Sequence, residues 1–87
     1  MPYIPQEARK HYDGAINEIL FVLSHRSATD AAGDLTYITY RLLKRFSLKF
    51  WMRAMAIGCL ICAILEIYRR DHSIYEDKKI EEHGDII

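Results

Sequence analysis

Eighty-seven residues with twelve basic and twelve acidic side chains form one domain at a size where a core is marginal, since such a chain buries only about 60% of its unfolded surface. Two cysteines, Cys59 and Cys62, exclude a disulfide framework. Neutral overall charge argues against a dedicated nucleic-acid binder, whose domains run to an isoelectric point above about 9. Of the ways a small chain gains support, oligomerisation is the one left open.

In chain order, Pro2-Tyr3-Ile4-Pro5 reads as an extended lead-in, because each proline disfavours the α region in the residue before it. A first helix is predicted over about 5–25, with Pro5 in its first turn and Glu7 near its positive end. Its apolar stripe is Ala8, Tyr12, Ile16, Ile19, Leu20 and Leu23. Gly14 weakens the middle of that helix, and Asp13 is placed to restart it as a cap. Ser27 to Asp30 reads as a loop with cap candidates. A second helix is predicted over about 30–46, with Leu35, Ile38, Leu42 and Phe46 facing inward.

The third predicted helix, about 48–71 with Ser47 as its N-cap, is the most apolar part of the chain. From Ala54 to Leu65 it carries no charge for 12 residues, with Arg53 before and Glu66 after. A membrane span needs roughly 20 mostly apolar residues, so this run reads as a buried core helix covered on nearly all sides. The polar, proline-punctuated start is unlike a secretory signal, and with the sparse cysteines it predicts a cytoplasmic protein with no membrane partner. A last helix over 74–83, separate from or continuing the third, ends near His83 with Gly84 just past it. The expected fold is all-α: one domain over 1–87, a bundle of three or four helices with a long apolar central helix, assembled as a homo-oligomer.

The zero net charge hides a segregation. Arg41, Lys44, Arg45, Lys49 and Arg53 stand in the middle of the chain without an acid among them. After Arg70 come six carboxylates against Lys78 and Lys79. Either the two parts neutralise each other, within the fold or between subunits, or the basic part faces an anion; neutralisation is the expectation.

Few residue sets could carry chemistry. Cys59 and Cys62 form a C-x-x-C by pattern only, without the electropositive helix start that activates a redox thiol, and read as buried small hydrophobes. The four histidines lack partners at metal-binding spacing. Glu7 and Glu18, eleven residues apart, do not make the paired-carboxylate motif of a helical metal hydrolase. No catalytic residue, metal ligand or cofactor is predicted. Two clusters remain. Tyr37, Tyr40 and Arg41 lie within one turn, and Tyr68, Arg69 and Arg70 close the long helix with Tyr75 shortly after. Guanidinium forks match phosphate, and tyrosine offers a face for a base.

Several stretches, read together, resemble a family of small proteins from bacteriophages and environmental genomes. They are Pro2 to Pro5, Gly33-Asp34-Leu35-Thr36-Tyr37, Tyr68-Arg69-Arg70, Tyr75 to Ile80 and Gly84-Asp85-Ile86. Thr36 and His83 stand where that family has asparagine. The family in turn is similar, in size and source, to small oligomeric phage proteins that sequester nucleotide immune signals of the host. The resemblance implies a non-enzymatic homo-oligomer that captures an anionic, nucleotide-like molecule. Arg41, Arg69 and Arg70 would hold phosphates, Tyr37, Tyr68 and Tyr75 would stack, Asp34 would read a ribose or base edge, and Lys78 would join the site. The alternative is a protein–protein adaptor or inhibitor of a host enzyme acting through Tyr75 to Lys79 and Gly84 to Ile87. Nucleic-acid binding through the basic middle with Phe46, Phe50 and Trp51 ranks third.

Overall fold

The computed structural model describes residues 2–87 and is all-helical, with no strand among them; Met1, the first residue of the expected domain over 1–87, lies outside the described residues. The elements are α1 (Gln6–Arg9), α2 (Asp13–Ser24), α3 (Ala28–Lys44), α4 (Phe50–Ile67), a π-helical turn (Tyr68–His72) and α5 (Ser73–His83).

The expected first helix is broken. Pro5, at φ −53° and ψ 144°, stands outside α1 as its N-cap rather than in its first turn. A turn then carries the chain to Tyr12, the N-cap of α2, so Asp13 opens the helix from within its first turn. There its charge faces the unpaired N–H groups. The expected loop at Ser27 to Asp30 is helical instead. Ser27 is the N-cap of α3, its Oγ accepting from the Asp30 backbone N–H at 3.1 Å, so the helix starts at the next residue.

Ser47 does not cap the long helix. Its hydroxyl donates back to the Lys44 carbonyl at 2.8 Å and closes the end of α3. Lys49 is the N-cap of α4, without a side-chain hydrogen bond, and Arg53 ties across the corner by donating to the Ser47 carbonyl at 2.8 Å. From Phe50 the helix runs unbroken to His83, 34 residues, so the segment 74–83 continues it. A π turn holds one extra residue without breaking the helical path. Gly84, at φ 83°, ends it where an L side chain would be strained.

These helices do not close over a core. The Cα radius of gyration is 16.6 Å, against about 12 Å for a compact domain of this length. Among the described residues only Ala56 is buried. Met52, Leu60, Ala63 and Glu66 lie with it on the half-buried side of α4. Leu35 and Leu42, expected to face inward, are 59% and 62% exposed, because α3 turns Ile38, Leu43 and Phe46 toward its neighbours instead. Cys59 and Cys62, expected to be buried, are exposed free thiols. The length argument against a membrane span also changes. Phe50–His83 is long and apolar enough to cross a membrane by length and composition; core helices of soluble proteins share that property but are mostly buried, whereas this one is almost wholly uncovered within the chain.

Candidate functional site

A concavity of about 640 Å³ lies between α2 and α3. Its floor is apolar, from Ala15, Ile19, Val22, Leu23 and Ile38; its polar edge is Glu18, Arg26, Asp34 and Tyr37. Helical spacing explains the floor, since Ala15, Ile19 and Val22 recur by four and three along α2. The Ser27 cap then turns the chain so that Arg26 and Asp34, eight residues apart, meet as a fork on a carboxylate at 2.7 and 3.2 Å. The hydrogen bond from Arg26 holds the Asp34 carboxyl below its ordinary range, and the same bond raises the guanidinium.

One turn along, Arg41 Nη1 donates to the Tyr37 hydroxyl at 2.8 Å. Its guanidinium carbon also sits 5.7 Å from the centre of the Tyr37 ring, within cation–π range. Arg41 has no carboxylate partner among the described residues. Asp34 and Tyr37, two of the eight expected site residues, therefore line this groove, and Arg41, a third, stands one turn beyond Tyr37 without lining it.

The other five belong elsewhere. Glu66 receives Arg69 and, at 2.7 Å, the hydroxyl of Tyr3, while Arg70 donates to that same hydroxyl at 3.1 Å. The extended lead-in is thereby fastened onto the start of the π turn. Arg69 above all, and Tyr3 second, pull the Glu66 carboxyl below its ordinary range. Tyr68 donates to Glu76 at 2.8 Å, and that bond raises its phenol above the usual value. Glu76 also pairs with His72 at 2.9 Å. Tyr75 stacks loosely on His72, ring centres 6.2 Å apart, with Lys79 5.4 Å from its own centre. Lys78 forms no ion pair among the described residues. The two clusters, Tyr37 with Arg41 and Tyr68 with Arg69 and Arg70, which only a pocket between subunits would combine, lie apart within the chain. Tyr68 and Tyr75 line a separate concavity with Asp71 and His72, and Arg70 lines a third with Tyr3.

Sequence reasoning missed Arg26, Tyr3, Glu66 and Glu76. Glu66 and Arg69 stand three apart on one helix, a pairing readable from spacing alone. Nothing local links Tyr3 to a helix more than sixty residues away. Among the described residues no three His, Cys, Asp or Glu side chains converge.

The fold and groove define an open, all-helical protein whose polar groups fringe an apolar cleft. The chain belongs to the DUF6899 family, a domain of unknown function, whose model matches residues 1–86. No curated protein and no solved structure matches it.

Proposed function

We propose that this protein is a non-enzymatic, self-assembling binder that sequesters an anionic small molecule of nucleotide type in the α2–α3 groove. The observation that carries the reading is the groove itself. At about 640 Å³ it falls within the roughly 300–1,000 Å³ typical of small-molecule sites, and it joins an apolar floor to a polar edge, with Arg41, which no carboxylate neutralises among the described residues, one turn beyond Tyr37. A base lies on Ile19, Val22 and Ile38 against the edge of Tyr37. Arg41 turns from the Tyr37 hydroxyl to a phosphate, and Asp34, held by Arg26, accepts from a ribose hydroxyl. The resemblance to phage proteins that hold nucleotide immune signals supports the ligand class, and with it a cytoplasmic site of action in an infected cell. Arg69 and Arg70, engaged by Glu66 and Tyr3, are left out of this site.

Titration calorimetry with a cyclic mononucleotide, a cyclic dinucleotide and ADP-ribose tests it. Binding of one of them, weakened by about tenfold or more in Arg41→Ala, matches the loss of a charge-assisted contact. Arg69→Ala should leave that affinity unchanged. Failure of all three probes to bind removes the reading.

One observation favours the adaptor reading as a second choice. Past Gly84 the chain leaves the helix with Ile86 and Ile87 fully open to solvent, beside the shallow concavity of Glu76, Ile80 and His83. Co-purification of one host protein that is lost when the chain is truncated at Gly84 would move the assignment there.

A further inference from the structure

The long helix has two opposite sides. Ala56 and its half-buried neighbours face the rest of the chain. On the other side Phe50, Ala54, Ile57, Ile61, Ile64 and Tyr68 recur by four and three without interruption, the spacing of a coiled-coil seam. All six are exposed, Phe50 at 78% and Ile64 at 63%. No charged side chain falls on the seam. It ends at Tyr68, where the π turn begins and its extra residue rotates everything beyond onto another face.

Charge decides what covers it. Arg41, Lys44, Arg45, Lys49 and Arg53 gather where α3 turns into α4, and none of them makes an ion pair among the described residues. At the far end of the same helix the acids exceed the bases. Asp77 and Glu81 make no ion pair among the described residues, while Glu76 and Glu82 meet only near neighbours, His72, Lys79 and His83. Neutralisation within the chain, the simpler expectation, is therefore not made at the corner. Two seams packed in parallel would set basic corner on basic corner and acidic end on acidic end. Packed antiparallel, with Phe50 level with Tyr68 of the second copy, the acidic end of that copy runs about 20 Å past Phe50 at 1.5 Å per residue. Beyond Arg69 and Arg70, which come level with Lys49 and Leu48, its carboxylates from Asp71 to Glu82 run alongside the rest of the basic corner, and the helix dipoles also oppose.

We infer that the occupant of this seam is a second copy of the chain, packed antiparallel about a two-fold axis near Cys59, each acidic end lying on the other's basic corner. The inference rests on the self-assembly in the reading above, and adds its face and direction.

Engineered cysteines test it in the full chain carrying Cys59→Ser and Cys62→Ser, alongside native mass spectrometry. Ala54 and Ile64 are level across an antiparallel seam, whereas two copies of position 54 lie about 15 Å apart along it. Mild oxidation should link Ala54→Cys/Ile64→Cys into a covalent dimer and leave Ala54→Cys alone unlinked. Raising salt should weaken the dimer, and Lys44→Glu/Arg45→Glu, which reverse the charge met by the acidic end, should weaken it further. Linking of Ala54→Cys alone means a parallel seam and overturns the proposal. An oligomer that neither variant links overturns the seam while self-assembly stands. A monomer, or a chain held only in phosphatidylglycerol vesicles, overturns self-assembly itself.

Discussion

The two halves of the 34-residue helix live by different physics. Between Phe50 and Ile67 its side chains are almost all apolar, and most of that surface meets nothing within the chain. From Tyr68 to His83 the same backbone carries side chains that answer one another. Tyr68 and His72 meet Glu76, Lys79 meets both Glu82 and the Tyr75 ring, and Arg69 reaches back to Glu66. Exposed pairs of this kind contribute only a few tenths of a kcal/mol each, but they leave the second half content in water. The first half has no such local solution, since apolar surface is satisfied only by other apolar surface. A helix can therefore look continuous and still be half complete.

The sharpest way to break this comparison is to remove one isoleucine from each half. Ile61 is 50% and Ile74 53% exposed, so in the single chain Ile61→Ala and Ile74→Ala should cost alike, within about 0.5 kcal/mol, as surface substitutions do. If the first half is buried by a second copy, Ile61→Ala instead costs about 2–5 kcal/mol, while Ile74→Ala keeps its small effect. Urea melts at several protein concentrations measure both. Equal small losses would show that the apolar half stays uncovered.

Two glycines sharpen the picture at a smaller scale. Gly84→Ala forces an L side chain to φ 83° and should cost about 1 kcal/mol, fraying the charged half from its end; amide exchange over Ile80 to His83 reads it. Gly58 sits within α4, where an added Cβ meets nothing within 4 Å. In the single chain Gly58→Ala stabilises the helix by about 0.5–1 kcal/mol. A destabilisation measured in the same melts means that another backbone approaches at that flank of the seam.

Much of the helical content was legible because period 3.6 is a local property. The apolar run, the stop at Gly84 and the Tyr37–Arg41 pair at four-residue spacing can all be read without a partner. Helix ends were read less well where one side chain had two possible duties. Ser47 caps nothing because its hydroxyl is nearer the Lys44 carbonyl, and Ser27 makes a helix of what composition suggested was a loop. Burial was read worst. Leu35, Leu42, Cys59 and Cys62 have the chemistry of core residues, and pattern alone cannot say whether their cover comes from the same chain. Two arginines expected at a phosphate are held by Tyr3 and Glu66, and contacts that span most of the chain leave no periodic trace.

The smallest expected effect tests the charged half through its protons. Glu66, held low first by Arg69 and then by Tyr3, contributes stability that is complete above its ordinary value of 4.5 and is lost as pH falls through the lowered folded value. Tyr68, raised by its bond to Glu76 above an ordinary 10.0, contributes fully below that value and loses its share as pH climbs through the raised one. The attachment of the lead-in to the π turn through Glu66 is thus bounded on the acid side, and salt should loosen it because the pair is exposed. Ring resonances of Tyr3, followed by NMR, should move toward free values as pH drops below 4.5, and sooner at high salt. The apolar seam from Phe50 to Tyr68 carries no carboxylate, so a fall of the assembled mass over that range reports the contact of the acidic α5 with the second copy's basic corner. If Tyr3 keeps its shift well below 4.5, apolar packing of Pro2 and Ile4 holds the lead-in and Glu66 is incidental to it. If the mass falls, the charged contact of α5 carries the dimer; if it holds while Tyr3 is released, the apolar seam is sufficient without it.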